Sequence, residues 1–404
     1  MHPEPPLPLT ARHALETRAV HGGREDLHDL GVHALPIDLS STYPVPDLAQ
    51  GGLDLGTMAM GGHPRTTSVY SRLHNPTVAR FERALAGLEG TDEAVAFSSG
   101  MAAVTAVLMA AKQRAGAGRP GHIVAVRPLY GGTDHLLSSG LLGLDVSWVK
   151  PEGIRAALRP DTVLVLLETP ANPTLTLVDL DQVVEQAGRV PVLVDNTFAT
   201  PILQNPARHG VTLVLHSATK FLGGHGDVLA GVVATTVEWA QELRKIRVIT
   251  GNVLHPLAAY LLHRGLPTLP LRVRHAQAGA EVLAERLRRH RKVSSVHYPG
   301  PGSRADEQIL RKQMRGRGAV LAFTVAGGFA AASRVMASVE LMTPAVSLGS
   351  VDTLIQHPAG LTHRVVEEGA RNGSGVSESL LRVSVGLEDP DDLWADLEQA
   401  LEKT

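Results

Sequence analysis

The stretch Val211-Thr212-Leu213-Val214-Leu215-His216-Ser217-Ala218-Thr219-Lys220-Phe221-Leu222-Gly223-Gly224-His225-Gly226-Asp227 runs from an apolar, strand-like segment into a glycine-closed turn that holds a lone lysine. In a parallel α/β sheet, ligands bind at the carboxyl ends of strands, which is where this order puts Lys220. An amine condenses with an aldehyde only in its neutral form, which partial desolvation favours. Ser217 and Thr219, three and one residues earlier, are placed to bind a phosphate on the same ligand. The cofactor that combines an aldehyde with a phosphate is pyridoxal 5'-phosphate. Taken alone, the string also suits a surface lysine at a strand-to-loop junction, so the rest of the chain decides.

Working outward, Val192-Leu193-Val194-Asp195 ends a second strand-like run on a carboxylate. A carboxylate at that edge can keep a pyridine nitrogen protonated, or it can cap the next turn. Ala94-Val95-Ala96-Phe97 runs into Ser98-Ser99-Gly100-Met101 and a helical stretch to Lys112. Backbone N–H groups at such a start form an anion site, and Ser-Ser-Gly is also simply a good helix start. From about 74 to 271, runs such as His122 to Val126, Val146 to Val149, Thr162 to Leu167 and Val228 to Val233 alternate with helical patterns. That alternation predicts an α/β fold whose mainly parallel sheet is covered by helices on both faces. From 272 to 404, a helix pattern over Val273 to Arg291, followed by strands at Ala319 to Val325 and Leu381 to Val385, predicts a smaller α+β C-terminal domain. Residues 1–73 are rich in Pro and Gly, with Gly51 to Gly62 read as a loop, and predict an extended N-terminal arm.

Composition excludes several classes. With 404 residues, 44% hydrophobic and 19% charged, the chain is globular and too long for one ordinary core. Its 38 basic and 40 acidic residues give no electrostatic reason to expect nucleic acid or anionic membrane. The basic run Arg286 to Lys292 reads as a solvated helix face. No cysteine is present, so disulfides, thiolate nucleophiles and Cys-zinc sites are excluded, and a cytoplasmic setting is expected. The start Met1 to Pro8 lacks the pattern of a signal peptide, and no apolar run approaches the ~20 residues that span a bilayer. Gly116-Ala117-Gly118-Arg119-Pro120-Gly121 has the spacing of a dinucleotide loop but precedes a strand instead of following one. The 19 histidines include no H-E-x-x-H, and no metal site is expected.

Further strings extend along the whole chain: Thr17-Arg18-Ala19-Val20-His21-Gly22-Gly23, Tyr70-Ser71-Arg72 with Asn75-Pro76-Thr77, Ser99-Gly100-Met101-Ala102-Ala103 and Tyr130-Gly131-Gly132-Thr133. Glu168-Thr169-Pro170-Ala171-Asn172-Pro173, Val194-Asp195-Asn196-Thr197 and the lysine segment follow. The last third adds Arg264 to Arg272, Ser347-Leu348-Gly349, His357-Pro358-Ala359 with Thr362-His363, and Leu381 to Glu388. In this order they resemble the Cys/Met-metabolism pyridoxal-phosphate enzymes, a family of carbon-sulfur lyases and γ-replacement enzymes with the fold-type I, aminotransferase-like architecture.

The resemblance implies that Lys220 forms the Schiff base, Asp195 pairs with the ring nitrogen, and Gly100, Met101, Ser217 and Thr219 hold the phosphate. It implies that Tyr130 stacks on the ring and moves a proton, Asn172 bonds the ring hydroxyl, Arg382 takes the α-carboxylate of an amino-acid substrate, and Ser347 is a further substrate-binding residue. Tyr70 and Arg72 would reach the phosphate of a neighbouring subunit, in a homo-oligomer that is a tetramer of two dimers. Substrate choice turns on departures from the family's subgroups. Val346 stands where cystathionine enzymes typically carry Glu, which points to γ-elimination from L-methionine, as do Gly226 and Thr250-Gly251. Gly132, and Arg247-Val248 where methionine γ-lyases usually have Lys-Asp, count on the other side. Cystathionine γ-lyase, cystathionine γ-synthase and O-acylhomoserine sulfhydrylase activities are the alternatives, and elimination versus replacement stays open.

Overall fold

The computed structural model describes residues 13–116, 118–300 and 303–404, so Met1 to Pro8 and Ala117 of the glycine string lie outside the described residues. Seven strands form the first sheet: β1 (Glu93–Phe97), β2 (His122–Val126), β3 (Asp145–Val149), β4 (Thr162–Glu168), β5 (Val192–Asp195), β6 (Leu213–His216) and β7 (Gly231–Thr235). Their order is β1-β7-β6-β5-β4-β2-β3. Strands β2 to β6 run parallel, and β7 is antiparallel to both β1 and β6. The central strands are apolar at successive positions because both faces are covered. Val192, Val194 and Val214 join one core with Phe81 and Leu85 of helix Pro76–Glu89. Leu193, Leu213 and Leu215 join the opposite core with Val107 and Leu108 of helix Gly100–Arg114. Each such side chain contributes on the order of 1.5–3 kcal/mol when fully buried.

Two sequence expectations need correction. The strand expected from Val228 begins only at Gly231, because Ala230 is tied to the lysine turn. Its N–H donates to Thr219 Oγ1 at 3.0 Å and its carbonyl accepts from Thr219 N at 3.2 Å. The supposed loop Gly51 to Gly62 is largely a helix, Leu48–Ala59. Asp47 caps it by accepting from Gln50 N, and buried Asp54 accepts from the amides of Arg65, Thr66 and Thr67 and from the Thr66 hydroxyl. Gly51 serves a close approach there, since a Cβ would lie 2.1 Å from Val45 Cγ1. Met58 anchors the helix against Leu73 and Val248. Tertiary bonds outweigh the low helix propensity of glycine.

The second sheet contains β8 (Val293–His297), β9 (Val320–Val325), β10 (Thr343–Pro344), β11 (Leu354–Gln356) and β12 (Leu380–Ser384), in the order β10-β11-β12-β9-β8. It packs on helix Leu269–Arg289 and helix Pro390–Glu402 through Leu283, Leu287, Phe323 and Leu397. The basic run lies on the solvent side of this packing, where Arg286 pairs with Asp391, and Arg291 with Glu402, in surface ion pairs. Among the described residues no helix is long and apolar enough to cross a membrane.

Candidate active site

A cavity of about 570 Å³ opens at the carboxyl ends of β4, β5 and β6, where the first sheet faces the β11–β12 region of the second. Its floor carries two carboxylates in direct register, Glu168 closing β4 and Asp195 closing β5. Asp195 Oδ1 accepts from Thr197 N at 3.0 Å and from Thr197 Oγ1 at 2.5 Å, so it both caps a turn and faces the cavity. Thr197 Oγ1 in turn accepts from Ser217 N at 2.9 Å. Burial raises the Asp195 carboxyl above the usual range, and a cation at the ring-nitrogen position would relieve that cost.

At one end of the cavity Ser99 caps helix Gly100–Arg114 through Ala102 N. Gly100 leaves an open cradle between this helix start and the lysine segment, because a Cβ there would come within 3.1 Å of Ser217 Oγ. The helix start at Gly100 and Met101, together with Ser217 and Thr219, thus lines this end of the cavity, and helix-start amides suit an anion. The donor set fits a phosphate at this end and a pyridine nitrogen at Asp195.

Lys220 lies between them. Its turn is closed by Gly223 N to Ala218 O at 3.0 Å and Gly224 N to Lys220 O at 2.8 Å. Gly224 has φ +74, and a Cβ there would strike the Arg272 guanidinium at 1.9 Å. Arg272 is buried and donates to the carbonyls of Phe221 and Gly265, which clamps the turn. Lys220 Nζ donates to Ser347 Oγ at 2.7 Å. Burial, with the Arg382 charge second, lowers the amine from its ordinary value to about 8. The neutral amine is the condensing form, and below the pKa its fraction falls about tenfold per pH unit. Capture of pyridoxal phosphate by apoprotein should therefore quicken about tenfold per unit up to about pH 8 and then level. Stopped-flow absorbance reads this directly, and a profile flat from pH 6 to 8 contradicts it.

Opposite the floor, β12 brings in Arg382, which is 2% exposed. It donates to Asn172 Oδ1 at 2.8 Å and to the Ser347 carbonyl at 2.6 Å, and the Gln356 amide oxygen, turned towards it, accepts at 2.9 Å. Burial lowers the guanidinium to about 10, so it stays charged at neutral pH. Ser347 has φ +89, strain of the kind that concentrates at ligand sites. It touches Lys220 through its hydroxyl and Arg382 through its carbonyl.

Tyr130 and Met101 also line the cavity. At Gly132, a Cβ would lie 2.6 Å from Tyr130 Cε1 and 3.1 Å from Met101 Sδ, so the glycine leaves the phenol ring its place. Val346 is 51% exposed on the outer wall with Leu229 and Leu361. Tyr70 and Arg72 do not line this cavity; Tyr70 is exposed and Arg72 NH1 donates to Val248 O at 2.6 Å. Arg247 instead pairs with buried Glu82. His216 Nε2 meets Glu89 Oε1 at 2.5 Å inside the core, a buried pair. Gln356 and Thr197 were not singled out from sequence, nor was Glu168 given a role, although Glu168 carries the same signal as Asp195: a carboxylate closing an apolar strand.

A family model described as "Cys/Met metabolism PLP-dependent enzyme" matches residues 16–402. A protein of Streptomyces avermitilis named L-methionine gamma-lyase is 58% identical, over 96% of this chain and 89% of its own. The solved cystathionine gamma-lyase of Micromonospora echinospora has TM-score 0.85 and 40% identity, covering 96% of this chain and 99% of that one. A cystathionine gamma-synthase structure from Xanthomonas oryzae pv. oryzae has TM-score 0.88 and 34% identity, covering 97% and 98%. A near full-length match of this kind, on a chain whose cavity fits the cofactor's two ends, settles the ancestry: the chain belongs to the Cys/Met-metabolism family of pyridoxal-phosphate-dependent enzymes.

Proposed function

We propose that the chain catalyses γ-elimination of L-methionine, which with one water gives 2-oxobutanoate, ammonia and methanethiol. The observation that carries this reading is the character of the cavity wall. Val346, Leu361, Leu229 and Phe198 face it, and its only carboxylates among the described residues are Glu168 and Asp195 on the floor. A thioether needs no more, whereas the distal ammonium of cystathionine would find no anionic partner among these wall residues. The relative at 58% identity carries the matching name.

In this reading Lys220 tethers the cofactor, Asp195 faces its ring nitrogen, and Gly100, Met101, Ser217 and Thr219 hold its phosphate. Tyr130 covers the ring face, and Asn172 meets the ring hydroxyl. When bound, pyridoxal phosphate supplies the electron sink for charge developing on the substrate carbons. Arg382 fixes the substrate carboxylate by a two-pronged hydrogen bond, with Ser347 beside it. The Lys220 amine, whose pKa of about 8 leaves roughly a tenth of it neutral at pH 7, moves protons at the α- and β-carbons. The Tyr130 phenol hands a proton to the departing sulfur.

Wild type should release methanethiol and 2-oxobutanoate from L-methionine, and Val346→Glu should shift preference towards L-cystathionine by about 1–3 kcal/mol, roughly ten- to a hundredfold. Side-by-side kcat/KM values decide it. Cystathionine cleavage or synthesis is the second reading, favoured by Gly132, and wild type that ignores methionine while turning over cystathionine would establish it.

The proposal extends to assembly. Tyr70 and Arg72 stand exposed or near the surface, away from this chain's own cavity, and suit a role at a neighbouring subunit's phosphate, in a tetramer of two dimers. Inactive Lys220→Ala and inactive Arg72→Ala subunits, once exchanged, should regain partial activity, because some hybrid sites carry neither lesion. No recovery after verified exchange argues against shared sites. A cytoplasmic setting is also proposed, since a chain without cysteine needs no oxidising compartment.

A further inference from the structure

The floor of the cavity holds a second carboxylate beside Asp195 for which the roles above have no use. Glu168 is 5% exposed and lines the cavity. Its Oε2 accepts from Tyr130 N at 2.7 Å and its Oε1 from Asn172 N at 2.9 Å. Tyr130 is the residue from which helix Gly131–Ser138 starts, so the bond fixes where that helix and its leading phenol begin. Asn172 lies in the turn after β4, and its side-chain oxygen accepts from Arg382. One side chain thus joins the element that covers the ring, the turn that meets the ring hydroxyl, and, one bond further, the guanidinium.

Keeping a carboxylate here is expensive. It is buried, and Asp195 is its register neighbour, so burial first and the Asp195 charge second push its pKa well up. A core position with no task would take an apolar side chain at lower cost. Only a carboxylate of this length offers two acceptors to two N–H donors. Glutamine turns one of them into a donor facing a donor, and aspartate is one methylene short.

We propose that Glu168 is a positioning residue that sets both walls of the cleft, through Tyr130 on one side and through Asn172 and Arg382 on the other. Cofactor stacking and substrate-carboxylate binding are then coupled through one side chain. The inference rests on the reading of the site given above, but not on which amino acid is turned over.

The test compares Glu168→Gln and Glu168→Asp with wild type in three measurements. Cofactor affinity is read by titrating apoprotein with pyridoxal phosphate, and ring packing by the circular dichroism of the bound cofactor. The carboxylate site is read by the spectral change on adding glycine, which needs no turnover and so does not depend on methionine being the substrate. Leaving a buried N–H donor without its acceptor should weaken both affinities roughly tenfold or more in both variants, with an altered dichroism band. Aspartate keeps the carboxyl group but not its reach, so its failure to rescue separates geometry from functional-group chemistry. If glutamine prevents folding, the aspartate variant alone decides. Unchanged affinities with only a lower melting temperature, or full rescue by aspartate, overturn the proposal, as does a fall in kcat with both affinities intact.

Discussion

Lys220→Ala should abolish turnover, with kcat falling by at least about a thousandfold, because in the proposed mechanism the same amine tethers the cofactor and moves the substrate's protons. Borohydride should fix cofactor on the Lys220 peptide of wild type, and nowhere in the variant. The variant should still fold. A lysine whose folded pKa is depressed from 10.5 to about 8 works against the folded apoprotein below about pH 8, and the cost fades as pH rises to 10.5. Its removal therefore should not lower the melting temperature of apoprotein at pH 7. Residual activity within tenfold of wild type, or label recovered on another lysine, would remove Lys220 from its role.

Arg382→Lys should cost about 2–5 kcal/mol in kcat/KM, at least roughly thirtyfold, most of it through KM. The guanidinium's fork meets Asn172, the Ser347 carbonyl and Gln356 at once. A lysine supplies a point charge without that planar geometry, which leaves buried acceptors unmatched. Cofactor affinity should fall less than substrate affinity, because Asp195, the Ser217 segment and the Gly100 helix start do not touch Arg382. If KM stays at the wild-type value while kcat collapses, the arginine does not hold the substrate carboxylate.

The candidate site was legible in the sequence wherever a residue closes one apolar run. Lys220 after β6 and Asp195 after β5 could be found from their own neighbours, and the long alternation of strands and helices gave the fold class. What depends on which strands adjoin was not legible. Glu168 and Asp195 are far apart in the chain and become a pair only because β4 lies beside β5. The antiparallel insertion of β7 between β1 and β6 likewise follows from long-range pairing. Helix Leu48–Ala59 runs against its glycine content because only Gly51 serves a close approach and its stability comes from Asp54 gripping residues 65 to 67. The role of Ser347 as a link between Lys220 and Arg382 needs a backbone conformation that its residue type does not advertise.

The hydrogen-bonded chain from Asp195 through Thr197 to Ser217 has a consequence for ligand choice. It ties the Asp195 end of the cleft to the Ser217 end across two adjacent strands, β5 and β6. Interstrand spacing lies within a close-packed interior of low compressibility. In the proposed reading of the site the cleft then works as a fixed gauge: an incoming pyridine is measured from nitrogen to phosphate before any bond forms. Pyridoxal without its phosphate, or with a lengthened arm, can satisfy one end only, so discrimination among vitamers is set by the backbone.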